Sequence, residues 1–220
     1  MDVERLKESL DIFTSCVTIR GGIIDYAVWI ENTLTDIIAW CCYPTSGRLD
    51  EDFNNQLDEN GIILKSLILT KLEFHEKIEI LKPLISIKNK DVWNNNLELM
   101  KNISKDLNKV REFRNLLAHS PIDTSREAFD AWDKCKGVEF RPFQVLDYKK
   151  GRVKPHTIDN EEIGTQLRIA VRAFFRLLQL WALLKSDPED AQTCENMAML
   201  TDMELNKELE MIMKHLGVAT

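Results

Sequence analysis

Apolar residues return at intervals of three and four through most of this chain, and that spacing limits the fold more than any other feature. Side chains three and four apart share one face of an α-helix, so each such row needs a second element to cover it. From Val3 to Cys42 the row includes Val17, Ile23, Ala27, Ile30, Leu34, Ile37, Ile38 and Cys41. It predicts a helix, bent or split at Gly21-Gly22, because glycine weakens a helix interior. The polar stretch from Tyr43 to Gly61 reads as a connection.

A second helix is expected from Ile63 to Ile87, with Pro83 ending or kinking it, and a third from Val92 to Ala118, stopped by Ser120-Pro121. The period then changes. Gly137 to His156 alternates apolar with polar around Lys149-Lys150-Gly151, the pattern of a β-hairpin. Asp159 or Asn160 caps a fourth helix from Glu161 to Lys185, the SDPED run at Ser186–Asp190 breaks it, and the tail from Ala191 to Thr220 holds further helix. The expected fold is all-α: an antiparallel bundle of four to five long helices with a small hairpin insertion and a helical C-terminal tail. Residues 1–186 form the bundle, with the insertion at 137–157, and residues 187–220 form an extension packed on the bundle or on a dimer.

With 44% apolar residues among 220, the chain can bury a substantial core. Eight glycines and six prolines are too few for a loop-rich, collagenous or many-stranded protein. A net charge of −7 argues against coating duplex DNA through bulk charge but leaves room for a local basic site. Cys16, Cys41, Cys42, Cys135 and Cys194 are odd in number and contain no C-x-x-C pair, so neither a disulfide framework nor a zinc signature is present. The adjacent Cys41 and Cys42 read as buried helix cysteines. The charged opening MDVERLKESL is unlike a signal peptide, and no apolar run approaches the ~18 residues of a membrane span. These features suggest a soluble protein of a reducing cytoplasm, with no membrane association, no metal and no cofactor.

Polar residues that fall on apolar rows mark the candidate chemistry. Arg114 sits four after Val110 and three before Leu117, in the middle of the third helix's row. Glu31 and Arg20 share the apolar side of the first helix. A charge in such a place is costly unless it is paired or lines a cleft. An Arg114–Glu31 ion pair that fixes helix register is one reading, and a guanidinium lining a cleft is the other. His119 follows Arg114 by five residues at the same helix end. Alone it would serve as a capping or surface residue, its cation favoured by the helix dipole.

The stretch Val110 to Ser120, VREFRNLLAHS, resembles the signature of the HEPN superfamily, an Arg separated from a His by four to six residues and often written R-N-x-x-A-H. Arg114, Asn115, Ala118 and His119 match it position by position. The segments Ile68 to Leu84 and Ile23 to Ile38 are similar to the helices that accompany the signature, and the resemblance covers roughly Val3 to Lys185. It implies a helical bundle that forms a homodimer, with the two motif helices facing one another across a shared cleft. It also implies a metal-independent endoribonuclease acting on RNA, of the kind found among toxins and phage-defence effectors and accompanied in some cases by an antitoxin or effector partner. Other members have lost catalysis and serve as RNA- or nucleotide-binding or protein-interaction regulatory modules, which is the alternative reading.

The residue types suit RNA cleavage. Histidine titrates near ~6.5 in water and can exchange protons at neutral pH. Arginine stays charged and grips phosphate oxygens bidentately. His119 is therefore the candidate acid–base and Arg114 the candidate phosphate clamp. Asn115 is a supporting residue that orients the histidine or touches RNA, with capping of the helix end as the simpler reading, and Glu31 orients Arg114. Arg168, Arg172 and Arg176 recur every four residues on the fourth helix, either as a solvated face or as a track for RNA phosphates. Lys149, Lys150, Arg152 and Lys154 give the hairpin a basic tip, with a solvated turn as the simpler reading. His75, His156 and His215 lack ligand spacing and are assigned structural roles, and Trp29, Trp40, Trp93, Trp132 and Trp181 are assigned to core or interface.

Overall fold

The computed structural model describes residues 3–42, 59–134, 143–149 and 152–203. Among these the chain is helical apart from one two-stranded antiparallel sheet. The first helix, α1 (Val3–Cys42), runs through Gly21-Gly22 without interruption, contrary to the expected break. Two interior glycines cost about 2 kcal/mol. Ile19 and Ile23, both buried on either side of the pair, return about 1.5–3 kcal/mol each and outweigh that cost.

The expected second helix is divided into α2 (Glu59–Leu67), a 3₁₀ turn at Leu69–Lys71, and α3 (Phe74–Lys88). The restart is chemical: the Glu76 carboxylate accepts the Glu73 backbone N–H at 2.7 Å, half of a capping box. Pro83 lies inside α3 and does not end it. An interior proline costs ~3 kcal/mol, but Leu81 and Ile85 flank it and are fully buried, and their burial holds the helix together.

The expected third helix is likewise two, α4 (Lys90–Asn95) and α5 (Leu97–His119), divided at Asn96, whose side-chain amide donates to the Val92 carbonyl at 2.9 Å. A short helix absent from the sequence expectation, α6 (Arg126–Asp133), follows, its N-cap Ser125 accepting from the Ala128 N–H at 3.2 Å.

Strands β1 (Phe143–Lys149) and β2 (Arg152–Ile158) form the hairpin, in a register that pairs Phe143 with Ile158 and Leu146 with Pro155. Most of the predicted turn, Lys150-Gly151, lies outside the described residues. The segment leaving α5 runs beside β1: Leu146 N–H donates to the Pro121 carbonyl at 2.9 Å, and Asp123 N–H donates to Gln144 at 2.8 Å. The Leu146 amide therefore faces away from β2. In an antiparallel ladder its partner Pro155 then turns its own nitrogen outward, where the missing N–H leaves no ladder bond unmade.

Helix α7 (Asn160–Leu184) matches the expected fourth helix, with the Asp159 carboxylate accepting the Glu162 N–H at 2.8 Å. The break after it places Ser186 at a φ of 60°, and the Asp187 carboxylate starts α8 (Pro188–Met203) by accepting the Asp190 N–H at 3.1 Å. The remainder of the expected tail, residues 204–220, lies outside the described residues.

Two compact units emerge. The first contains residues 3–26 and Glu112–Arg168 and carries the hairpin; Phe113, Leu117, Val145, Ile158, Ile163 and Leu167 are buried in it. The second contains Ala27–Arg111 and Ile169–Met203, and its apolar cluster includes Leu34, Ile37, Leu81, Ile103, Leu107 and Leu177. Ion pairs punctuate this second core, Lys77 with Glu31 at 2.7 Å and Lys65 with Asp36 at 2.5 Å.

Candidate functional site

The motif residues lie on the last turns of α5 in the first unit. Val110 and Leu117 are buried as the apolar row requires. Arg114, which the same row would bury, is half-buried, so its guanidinium reaches the edge of the packed face instead of its centre. Its Nη1 donates to Asn115 Oδ1 at 3.0 Å. Asn115 and His119 are exposed. Five residues of helix turn His119 about 140° from Arg114, so the two side chains do not share one narrow stripe. They occupy neighbouring sectors of a helix end, where the terminal carbonyls favour a cation.

Two contacts fix this helix end. Arg20, half-buried on α1, donates through Nη2 to the Leu117 carbonyl, one of the carbonyls that α5 leaves without an intrahelical partner. Immediately past His119 the Ser120 N–H bonds back to Leu116 at 3.0 Å, and Pro121 then joins the edge of β1. The hairpin is thus attached directly after the motif histidine. On it Lys154 is exposed and pairs in register with Asp147. His156, opposite Val145, has a buried Nε2 without a hydrogen-bond partner.

The other sequence candidates are placed as follows. Glu31 is engaged by Lys77, whose side chain is only 4% exposed, so the carboxylate assigned to Arg114 neutralises a buried ammonium in the second unit. Arg172 and Arg176 converge on Asp106, which is 1% exposed. Arg172 donates from Nε at 2.9 Å and from Nη2 at 3.1 Å, one bond to each carboxylate oxygen, and Arg176 donates from Nη1. An anion so deeply buried survives only when paired in this way. Arg168 is half-buried in the first unit. Asp106 and Lys77 were not among the sequence candidates. Asp106 sits one helical turn before Val110 on a largely apolar row, and its polarity was the available signal.

Burial pushes the Cys16 and Cys41 thiols up to about 12. Arg20 moderates the shift at Cys16, whereas the neighbouring Cys42 adds to it at Cys41. Neither supplies thiolate at neutral pH. Among the described residues no cluster of His, Cys, Asp and Glu is arranged to hold a metal ion, and no helix is long and apolar enough to cross a membrane. Comparison with known proteins finds no matching family model, no matching curated protein and no matching solved structure.

Proposed function

We propose that the chain is a metal-independent endoribonuclease of HEPN type, in which two copies bring their α5 ends together around RNA. The carrying observation is the pairing of an accessible His119 with a half-buried Arg114 on one helix end braced by Arg20. In this reading His119 removes the proton of a ribose 2′-hydroxyl. The 2′-oxygen attacks the adjacent phosphorus, the bond to the 5′-oxygen breaks, and the imidazolium of the second copy returns a proton to that leaving oxygen. Arg114 binds the phosphate oxygens as negative charge accumulates on them. Asn115 holds the guanidinium in place through the bond it already makes. The α-helical fold and the hairpin joined directly after His119 are compatible with a cleft floored by the helix end and flanked by a strand pair.

The test is cleavage of mixed cellular RNA in EDTA by purified wild type beside His119→Ala. Cleavage by the wild type and a loss of at least a hundredfold in the variant, with unchanged circular dichroism, is the expected result. Equal activity in both proteins, or no activity in a folded wild type, would overturn the assignment.

A further inference from the structure

In the first unit, helix α1 carries a second apolar row besides the one it packs inward. Leu10, Thr14, Val17, Gly21 and Ile24 follow one another at intervals of four and three, on a different side of the helix from the buried Cys16, Ile19 and Ile23. Leu10 is 65% and Val17 48% exposed, Thr14 and Gly21 are exposed, and Ile24 is half-buried. The Thr14 hydroxyl donates to the Leu10 carbonyl of its own helix at 2.8 Å, which leaves the methyl to the row. Gly21 has no reason within the chain to be glycine: α1 is continuous through it, and a Cβ built there has open space around it. Glycine weakens a helix interior relative to alanine, so the missing side chain answers to something that approaches from outside.

The order of sizes along the row identifies what approaches. Turned end for end about a point beside Ile19, the row matches itself: Val17 falls opposite Gly21 of a second copy, and Thr14 opposite its Ile24. Each layer joins a bulkier side chain to a smaller one, which lets two helices close to the density of a protein interior. In a parallel pair every residue would meet itself, so Gly21 against Gly21 would leave a void and Ile24 against Ile24 would crowd. The same turn places the motif. Arg20 projects about a quarter turn round α1 from the row, and its guanidinium holds the Leu117 carbonyl, two residues before His119. A twofold axis running between antiparallel helices keeps the Arg20 of both copies on the same side, so the two α5 ends flank the axis together.

We propose that a second copy of this chain docks antiparallel on the exposed row of α1, with the twofold axis beside Ile19, and that this pairing completes the site by setting both His119 side chains on one side of the axis. A stable interface uses about 20–30 residues from each partner, several times what the row holds. The row is therefore the centre of the contact, and the α5 ends beside it supply more. A partner of another sequence would have no cause to match the row's own alternation of large and small. A lipid surface would gain from a side chain at Gly21, not from its absence. The proposal rests on the ribonuclease reading for the use of a second histidine, while the docking geometry stands on α1 and Arg20.

The experiment is sedimentation equilibrium of the full chain at micromolar concentration, without RNA. The wild type is expected as a dimer, and Gly21→Ala is expected to weaken the dimer about tenfold. Gly21→Leu is expected to sediment as a monomer with unchanged circular dichroism, because the space at that position is open within the chain. After mild oxidation, a chain carrying both Thr14→Cys and Ile24→Cys should form covalent dimers absent from the wild type, and neither single variant should form them. A monomeric wild type, a Gly21→Leu protein that stays dimeric, or a single variant that links to itself would overturn the proposal. Because pairing is read without catalysis, the two readings fail separately. A dimer that links as expected but cleaves no RNA overturns the ribonuclease reading and leaves this one standing, and a monomeric wild type that cleaves through His119 overturns the pairing and leaves the cleavage.

Discussion

Single residues in this chain act through charges placed where water is scarce. Burial raises the carboxyl of Asp36 above its ordinary value of 3.8, and the hydrogen bond and charge of Lys65 offset only part of that rise. A carboxyl whose folded value lies above its unfolded one prefers to fold protonated. Its contribution to stability is complete below the unfolded value and is lost as pH rises through the folded one. The wild type should therefore lose stability relative to Asp36→Asn as pH rises from 4 to 7, in urea unfolding followed at each pH. A difference that stays flat over that range would mean the carboxyl is not desolvated. The same scale shows what the sequence could not reveal. Asp106 and its guanidiniums are 66 and 70 residues apart in the chain, and Glu31 and Lys77 are 46 apart. No local period encodes such partners. The sequence could mark Arg172, Arg176 and Glu31 as unusual, but their consumption in ion pairs is a property of the folded chain.

At the scale of elements, the long rows were legible because each is a local rule repeated many times. Helix α7 begins at Asn160 and ends at Leu184, within one residue of its expected bounds, and α5 ends at His119, one residue past the expected stop. The divisions between elements were less legible. They depend on single hydrogen bonds, from Glu73 to Glu76 before α3 and from Asn96 to Val92 before α5, which compete with a continuing apolar row. Helix α6 was missed because eight residues are too short to show a period. Its existence depends on its cap: Ser125 satisfies one of the N–H groups left open at the first turn. Ser125→Ala should cost about 1 kcal/mol and lower the melting temperature by about 2–4 °C, with faster amide exchange confined to Arg126–Asp130. Uniformly slow exchange there would show that packing, and not the cap, holds the helix.

At the scale of the molecule, the proposed chemistry asks for two copies. One histidine and one arginine provide a single acid–base group, and in-line cleavage needs a proton removed from one oxygen and another delivered to the opposite one. The full chain should sediment at micromolar concentration with twice the mass of one chain, and a monomer under those conditions would remove the second imidazole from the mechanism. The sheet bears on how such a pair can form. Among the described residues, one edge of the hairpin is occupied by the segment around Ile122, and the other has Pro155 opposite Leu146, with no amide at that position to offer an incoming strand. Sheets grow by templating, one backbone on the next, and this one lacks a donor at the middle of its β2 edge. Crowded copies of the chain are thus discouraged from fusing through their β-structure, and assembly is left to helices and loops, whose side chains can select a specific partner.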